Sequence, residues 1–431
     1  RHLTLQEKSG FYLKDFTDLT TVDTNQILAQ KLHIRTSHSN LKDYFRMRFR
    51  HFADIGNDFE DKVTLDANLQ SSHLSSADIA YFTNTLDKTQ FDLGLNGRVK
   101  GQVKNLKATN LTVTAGQATY LSGNFSIKGL PDWNNTFLEL NFSQVATNKK
   151  DLDYLYNRFS GTNNRHVPAI IGKFGNVNFK GRFTGFQNDF IAYGEFKTAL
   201  GRFNSDINLK ISKAGTPSYS GKINAFNFDL GNLLDQPDIG RTSFAANIKG
   251  SGDNLKTLSE KLDSHISYFA YKGYTYKNLD VKGTVNKKIF NGNININDNN
   301  IKLSLQGSAD LNPAMPVYDL AATVTNARLN ILNLIKDTIT VSTQLNTHFA
   351  GTDLSKLVGK IQLSPIRVVD PRHNYLVDSV TLSAEGKGRE RLIGLQSEIA
   401  DGSIKGNYDL ATLPSYFKTI VKKYIPSLKT N

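Results

Sequence analysis

The 431 residues allow two or three ordinary domains or one long body, and the 39% of hydrophobic side chains, about 46% with the 32 glycines counted, suffice for a sizeable core. The absence of cysteine excludes disulfides, thiolate metal sites and a cysteine nucleophile, while leaving the compartment open. The net charge of +13, from 52 basic and 39 acidic side chains, would suit an anionic partner. Its densest runs (Lys42, Arg46, Arg48 and Arg50; Lys387, Arg389 and Arg391; Lys418, Lys422 and Lys423) are scattered and read as solvated faces.

The opening Arg1-His2-Leu3-Thr4-Leu5 reads as part of a strand and not as a signal peptide, so the chain is expected to be a segment of a longer protein. No window of about 18 apolar residues exists to span a bilayer as a helix. Two short helices are predicted early, over 41–49 and over 152–159, the second with Asp151 as a candidate cap. Strands with period-two alternation follow over 177–183, through Phe179 and Gly181, and over 203–211, through Ile207 and Leu209. In 223–228 the alternation slips by one residue near Ala225, which a bulge would explain. Asp229 is a second candidate cap. The alternation is clearest over 279–285, 293–297 and 301–306, with Asn291-Gly292 as the predicted hairpin turn between the first two runs. A short helix over 329–335, a capped turn at Asp353-Leu354, a strand over 357–363 and a last helix over 416–424 complete the reading.

A loose repeat runs through these strands: Ile127-Lys128-Gly129, Phe179-Lys180-Gly181, Ile248-Lys249-Gly250, Val281-Lys282-Gly283 and Leu305-Gln306-Gly307. Glycine there is expected where a strand ends and turns. Roughly twenty strands in an antiparallel meander, turning about every 10 to 15 residues, predict an all-β fold with a few short helices. Such a chain grows along one axis, each unit touching its neighbours. We expect one continuous segment over 1–431, with 161–431 more regular than 1–160 and no firm boundary.

Motifs of catalysis are missing. Gly250-Ser251-Gly252-Asp253-Asn254-Leu255 starts like a dinucleotide fingerprint but has Leu255 where the third glycine belongs, and reads as a hairpin loop. There is no P-loop, no G-x-S-x-G elbow and no H-E-x-x-H. The nine histidines are scattered, with no pair at i, i+4. Asp298-Asn299-Asn300 reads as a plain turn, since it lacks the spaced carboxylates of a calcium loop. Carboxylates paired only in space leave no mark in a sequence, so glycoside hydrolysis stays open on this ground alone. In Tyr268-Phe269-Ala270-Tyr271-Lys272-Gly273-Tyr274-Thr275-Tyr276-Lys277 aromatics alternate with lysines, as in a single-strand nucleic-acid platform, but half-buried strand aromatics are the commoner cause. The expectation is therefore a non-enzyme without cofactor or metal.

One-sided apolar strands must hide that face in a packed core or leave it as a trough. The candidate lining residues are Phe203, Ile207, Leu209, Val281, Val285, Ile294, Ile296, Ile301, Leu303 and Leu305, each of which could instead be an ordinary core position. Twenty strands about 4.8 Å apart would extend such a trough on the order of 100 Å.

Several segments, taken in order, resemble a known family. These are Glu7-Lys8-Ser9-Gly10-Phe11, Ser75-Ser76-Ala77-Asp78-Ile79-Ala80-Tyr81-Phe82, Gly129-Leu130-Pro131, Phe228-Asp229-Leu230-Gly231 and Tyr271-Lys272-Gly273-Tyr274-Thr275-Tyr276. They resemble the periplasmic AsmA-like superfamily and, within it, the TamB (translocation and assembly module) proteins of Bacteroidota. The resemblance implies an elongated meander curled into a U-shaped, taco-like hydrophobic β-groove. It implies a protein of the periplasm, anchored in the inner membrane through an N-terminal helix this segment lacks. The groove would conduct phospholipids between inner and outer membranes and support outer-membrane biogenesis. An Omp85/TamA-type outer-membrane barrel would be the partner, met through parts absent from this segment, with no nucleic acid involved. A surface or secreted β-rich adhesion or glycan-binding module is the alternative.

Overall fold

A computed structural model describes residues 2–8, 10–81, 90–160, 166–252, 256–351, 358–386 and 390–406. The chain divides into two compact units, residues 1–237 and 238–431.

The first unit contains β1 (His2–Gln6), β2 (Tyr12–Val22), β3 (Gln26–Thr36), β4 (Asn40–Arg48), α1 (Asp54–Asn57), α2 (Phe59–Lys62), β5 (Thr64–Ser75), α3 (Ser76–Ile79), β6 (Asp92–Gln102), β7 (Asn105–Ala115), β8 (Thr119–Lys128), β9 (Phe137–Asn148), α4 (Lys149–Ser160), β10 (Asn176–Phe186), β11 (Asp189–Thr198), β12 (Gly201–Ile211), β13 (Pro217–Asp229) and α5 (Leu230–Leu234). The second contains β14 (Ile239–Ser251), β15 (Ser259–Tyr271), β16 (Tyr274–Asn286), β17 (Ile289–Asn297), β18 (Lys302–Asp310), β19 (Val317–Arg328), β20 (Thr340–Ala350), β21 (Val358–Val369), β22 (Asn374–Val377), β23 (Val380–Glu385), β24 (Leu392–Ser397) and β25 (Gly402–Lys405). Within each unit the strands pair antiparallel with their sequence neighbours, except that β21 pairs both β22 and β23 along different halves. The all-β, open-meander class with few short helices is thus as expected, and the ladder does not close on itself.

Alternation explains the strands. In β12, Phe203, Ser205, Ile207 and Leu209 are half-buried, while Arg202, Asn204, Asp206, Asn208 and Lys210 between them are exposed. Bends come from glycine inside strands. A Cβ at Gly221 would lie 1.9 Å from the Asp206 carbonyl oxygen, and one at Gly307 would lie 2.0 Å from that of Asp319. Only glycine lets a strand pass its neighbour this way, and such kinks curl a sheet. The Lys-Gly repeat stands at strand ends, as expected, only at Gly129, just after β8, and at Gly250, the penultimate residue of β14. Gly181, Gly283 and Gly307 lie within β10, β16 and β18, not at strand ends.

Other expectations need correction. Residues 41–49 form β4, not a helix, because Leu41, Phe45 and Met47 pair across to Ile34, Ala29 and Ile27 of β3. The β16–β17 turn falls at Lys287-Lys288, both with positive φ, while Asn291 and Gly292 sit inside β17. A turn at Asn291-Gly292 would set Val285 opposite Asp298; the observed register sets it opposite Phe290. Register, fixed by the apolar face, overrides local turn preference. The slip near Ala225 occurs two residues later, at Asn227 (φ 48°), and the β12–β13 register through Ala225 is regular. Residues 329–335 form turns around the fully buried Leu332 and no helix.

The helix over 152–159 is present as α4, but Asn148 caps it, accepting the Asp151 N–H at 3.0 Å. Asp151 instead reaches the β7–β8 turn. Asp229 does cap α5, accepting from the Asn232 N–H at 3.0 Å. Asp353-Leu354, the helix over 416–424, Phe82, Asp253 to Leu255, Lys387, Arg389 and the basic residues Lys418, Lys422 and Lys423 lie outside the described residues.

Candidate functional site

The antiparallel register converts one face of each sheet into apolar lanes that run across the strands. In the first unit one lane takes a residue from every strand from β3 to β12: Ala29, Phe45, Ala67, Val99, Ala108, Phe125, Leu140, Phe183, Ala192 and Ile207. Each is directly opposite the next, and none is polar. Nine strand spacings correspond to about 43 Å. A second lane lies alongside: Val22, Ile27, Met47, Leu65, Gly101, Leu106, Ile127, Leu138, Gly185, Phe190 and Leu209. A third joins Leu95, Val113, Leu121, Val145, Phe179, Phe196 and Phe203.

Aromatic rings bridge the strands within these lanes. Phe125 and Phe142 have centroids 5.2 Å apart, Phe142 and Phe179 6.0 Å, Phe179 and Phe196 4.6 Å, and Phe196 and Phe203 4.7 Å with the rings nearly parallel. The series ends where Phe174 and Phe228 pack on Phe203 at 6.3 and 6.2 Å. Phe174 closes the 3-10 turn Ala169–Phe174, which is tied to α5 by Lys173 through the carbonyls of Asn232 and Leu233 and the Asp235 carboxylate.

In the second unit the lane Val281, Ile294, Leu305, Ala322, Leu345, Leu363 and Val380 crosses β16 to β21 and then β23, and is aliphatic throughout. Beyond a row of Gly283, Gly292, Gly307, Leu320 and Thr347, the residues Val285, Phe290, Ala309, Tyr318 and Phe349 form another, with Tyr318 and Phe349 stacked at 4.9 Å.

Ala29, Ala67, Leu138 and Ala322 of these lanes are buried, but most lane members are not sealed in a core. Phe125, Phe179, Phe203, Ile207, Val281, Ile294 and Leu305 all remain half-buried. A residue packed between two layers would lose nearly all its exposure. Among the described residues the buried apolar side chains are few, and several are alanines.

Of the sequence-predicted lining residues, Ile207 and Leu209 fall in neighbouring lanes of the first unit, Phe203 in a lane set apart from them by a row through Ser205, Gly194, Gly181 and Phe142, and Val281, Ile294 and Leu305 share one lane of the second. Val285 faces Phe290, and Leu303 lies between Ile296 and Val324. Two differ. Ile296 and Ile301 pack against a closed cluster of Tyr276, Leu279, Ala327 and Leu332, and Ile301 precedes β18. Both keep part of their surface exposed, and the turn over 329–335 covers that end of the strands. Tyr271, Tyr274 and Phe269 pack on the same cluster, so these rings serve packing within the unit. Asp298 is buried there, taking the Tyr274 hydroxyl at 2.5 Å and the Lys277 N–H at 3.0 Å. Burial first, and then this hydrogen bond, raise the Tyr274 pKa.

Sequence reasoning missed the Phe125–Phe142–Phe179–Phe196 series. Each residue had a period-two neighbour, but their alignment depends on register across strands.

The opposite face is polar. Asp66, nearly buried, takes Arg46 Nη2 at 3.0 Å and Arg98 at 3.0–3.1 Å. Lys210 meets Asp189 at 2.8 Å and His265 meets Asp280 at 2.8 Å. Among the described residues no three His, Asp or Glu side chains converge as a metal site, and no helix is long and apolar enough to cross a membrane. No protein-family model, curated protein or solved structure matches this chain.

Proposed function

We propose that this protein conducts phospholipids between inner and outer membranes along its apolar lanes, as a non-catalytic bridge of the periplasm supporting outer-membrane biogenesis. The observation that carries this reading is the lane from Ala29 to Ile207, ten strands long without one polar side chain, in which all members but the buried Ala29 and Ala67 keep part of their surface exposed. Burial of acyl chains contributes about 0.8 kcal/mol per CH₂, so a 16-carbon tail entering water loses roughly 13 kcal/mol. An unbroken apolar lane lets the tail move stepwise without meeting that barrier. No single residue need be special, which fits a chain rich in alternation and poor in motifs. The polar face, with its cross-strand ion pairs, would stay in water. Anchoring to the inner membrane and docking on an outer-membrane barrel belong to this proposal through the resemblance alone.

Extraction of the purified chain with organic solvent and mass spectrometry of the extract tests it. Co-purified phospholipid, together with photo-crosslinks to lipid from Ile207, Ile294 and Leu305, is the expected result. No adduct from any of these positions would overturn it. An adhesion module would instead give lipid-free protein.

A further inference from the structure

The polar face of the second unit carries a feature the lipid reading does not use. Asn293 (β17), Gln306 (β18), Ala321 (β19), Asn346 (β20) and Gln362 (β21) stand directly opposite one another, in a row across five strands. Among the described residues none of these four amide side chains has a hydrogen-bond partner in the protein. Asn293 and Gln362 are nonetheless half-buried. Some amides on the polar faces are paired, as Asn141 is to Arg182 and Asn68 to Asp43, while others, such as Asn208 and Asn295, are free as in this row.

The row is also hollow. Ala321 contributes only a methyl group at its centre, and Gly307 beside it contributes none. The result is a shallow, open cleft of about 640 Å³, bordered by Asn291 and Ser308 on one side and Gln362 on the other. A second hollow of about 230 Å³ continues it past Gln344 and shares Gln306, Ala321 and Asn346.

We propose that this cleft binds a neutral, hydroxyl-rich chain, an oligosaccharide strand. An amide offers both donors and an acceptor and so matches a hydroxyl, which is donor and acceptor at once. Across Ala321, Gln306 and Asn346 stand two strand spacings apart, about 10 Å, and Gln362 follows one spacing further, about 5 Å, close to the lengths of two rings and one ring in an extended β-linked pyranose chain. A peptide strand would pair with a free sheet edge, whereas here the backbone groups are already engaged and only side chains face the cleft. A single-stranded nucleic acid would want a cationic row and stacking rings. The cleft holds one lysine, Lys360, with Asp319 also on its wall, and no aromatic residue other than His348. The proposal is independent of the lipid lanes, which occupy the other face.

Isothermal titration calorimetry of the full chain with cellohexaose and with the β-1,4-linked hexamer of N-acetylglucosamine tests it, with a dT oligonucleotide as a third arm. Saturable binding of at least one sugar is expected. The pair Asn346→Ala and Gln362→Ala should weaken it about tenfold or more, the loss of one or two hydrogen bonds. Ala321→Phe, which fills the floor and removes no amide, should weaken it as well, with the circular dichroism spectrum unchanged. Binding of neither sugar, binding indifferent to all three substitutions, or binding of the oligonucleotide alone would overturn it.

Discussion

Gly283 of β16 and Gly292 of β17 face each other directly, and the ring of Phe290 lies over both. A Cβ on Gly283 would stand 3.0 Å from Phe290 Cε2, and one on Gly292 would stand 2.9 Å from Phe290 Cζ and 2.4 Å from the Lys282 carbonyl oxygen. Gly181 and Gly194 repeat the arrangement under Phe179. The rings cover glycines that could not otherwise contribute to the apolar face.

Gly292→Ala should therefore lower stability by about 1–3 kcal/mol, since neither backbone nor ring can give way freely. Gly402→Ala, where nothing lies within 4 Å of the new Cβ, should be nearly neutral. Urea denaturation followed by circular dichroism distinguishes them. Equal midpoints for the two would contradict the role assigned to the paired glycines.

A charge in a lane and a charge in the rim cluster should differ in kind. Ile294→Glu, at a half-buried lane position, should leave the fold intact and abolish lipid crosslinking from Leu305 directly opposite. Ile296→Glu, two residues on and packed against the Tyr276–Leu332 cluster, should lower stability by about 2–4 kcal/mol, because the charge loses its water. The measurement is crosslink yield alongside thermal denaturation. Identical behaviour of the two variants would count against separate lane and core roles.

Asp151 joins α4 to the β7–β8 turn. Its Oδ2 accepts the N–H of Ala118 at 2.6 Å and of Thr119 at 2.7 Å, and the Thr119 hydroxyl at 3.0 Å. Burial pushes the carboxyl pKa up, but these donors outweigh it and hold it below the ordinary 3.8. A lowered folded value means that the stabilisation is fully present above 3.8 and is lost as pH falls through the folded value. Hydrogen exchange at Gln117, Ala118 and Thr119 should accelerate in that acid range beyond the intrinsic pH trend. Asp151→Ala should produce the same loss at pH 7, about 1–3 kcal/mol, by leaving the buried Thr119 N–H unpaired. Unchanged protection in the variant would remove the assigned role.

Asp66 sits between two guanidinium groups with its side chain 4% exposed. Asp66→Leu leaves Arg46 and Arg98 facing each other without a counter-charge. With Arg98 largely in water, a loss of about 1–3 kcal/mol is expected, and part of it should return in Asp66→Leu/Arg46→Met. A double-mutant cycle on denaturation midpoints reads this directly.

The sequence by itself determined the class and the two faces. Period-two alternation at residues such as Phe203, Ile207, Val281 and Ile294 follows from strand geometry alone, so the apolar side of each strand was readable one strand at a time. Tertiary structure decided register. Lys287-Lys288 took the turn from Asn291-Gly292 because the paired faces of β16 and β17 outweigh two residues of turn preference. Register in turn decided which side chains became neighbours: the Phe125–Phe203 series, the glycine pairs under Phe179 and Phe290, and the amide row from Asn293 to Gln362. It also set Ile296 and Ile301 against the Tyr276–Leu332 cluster, because a turn far along the chain folds over that end of the strands. Contacts between residues distant in sequence depend on many strand offsets at once, and no local pattern encodes their sum.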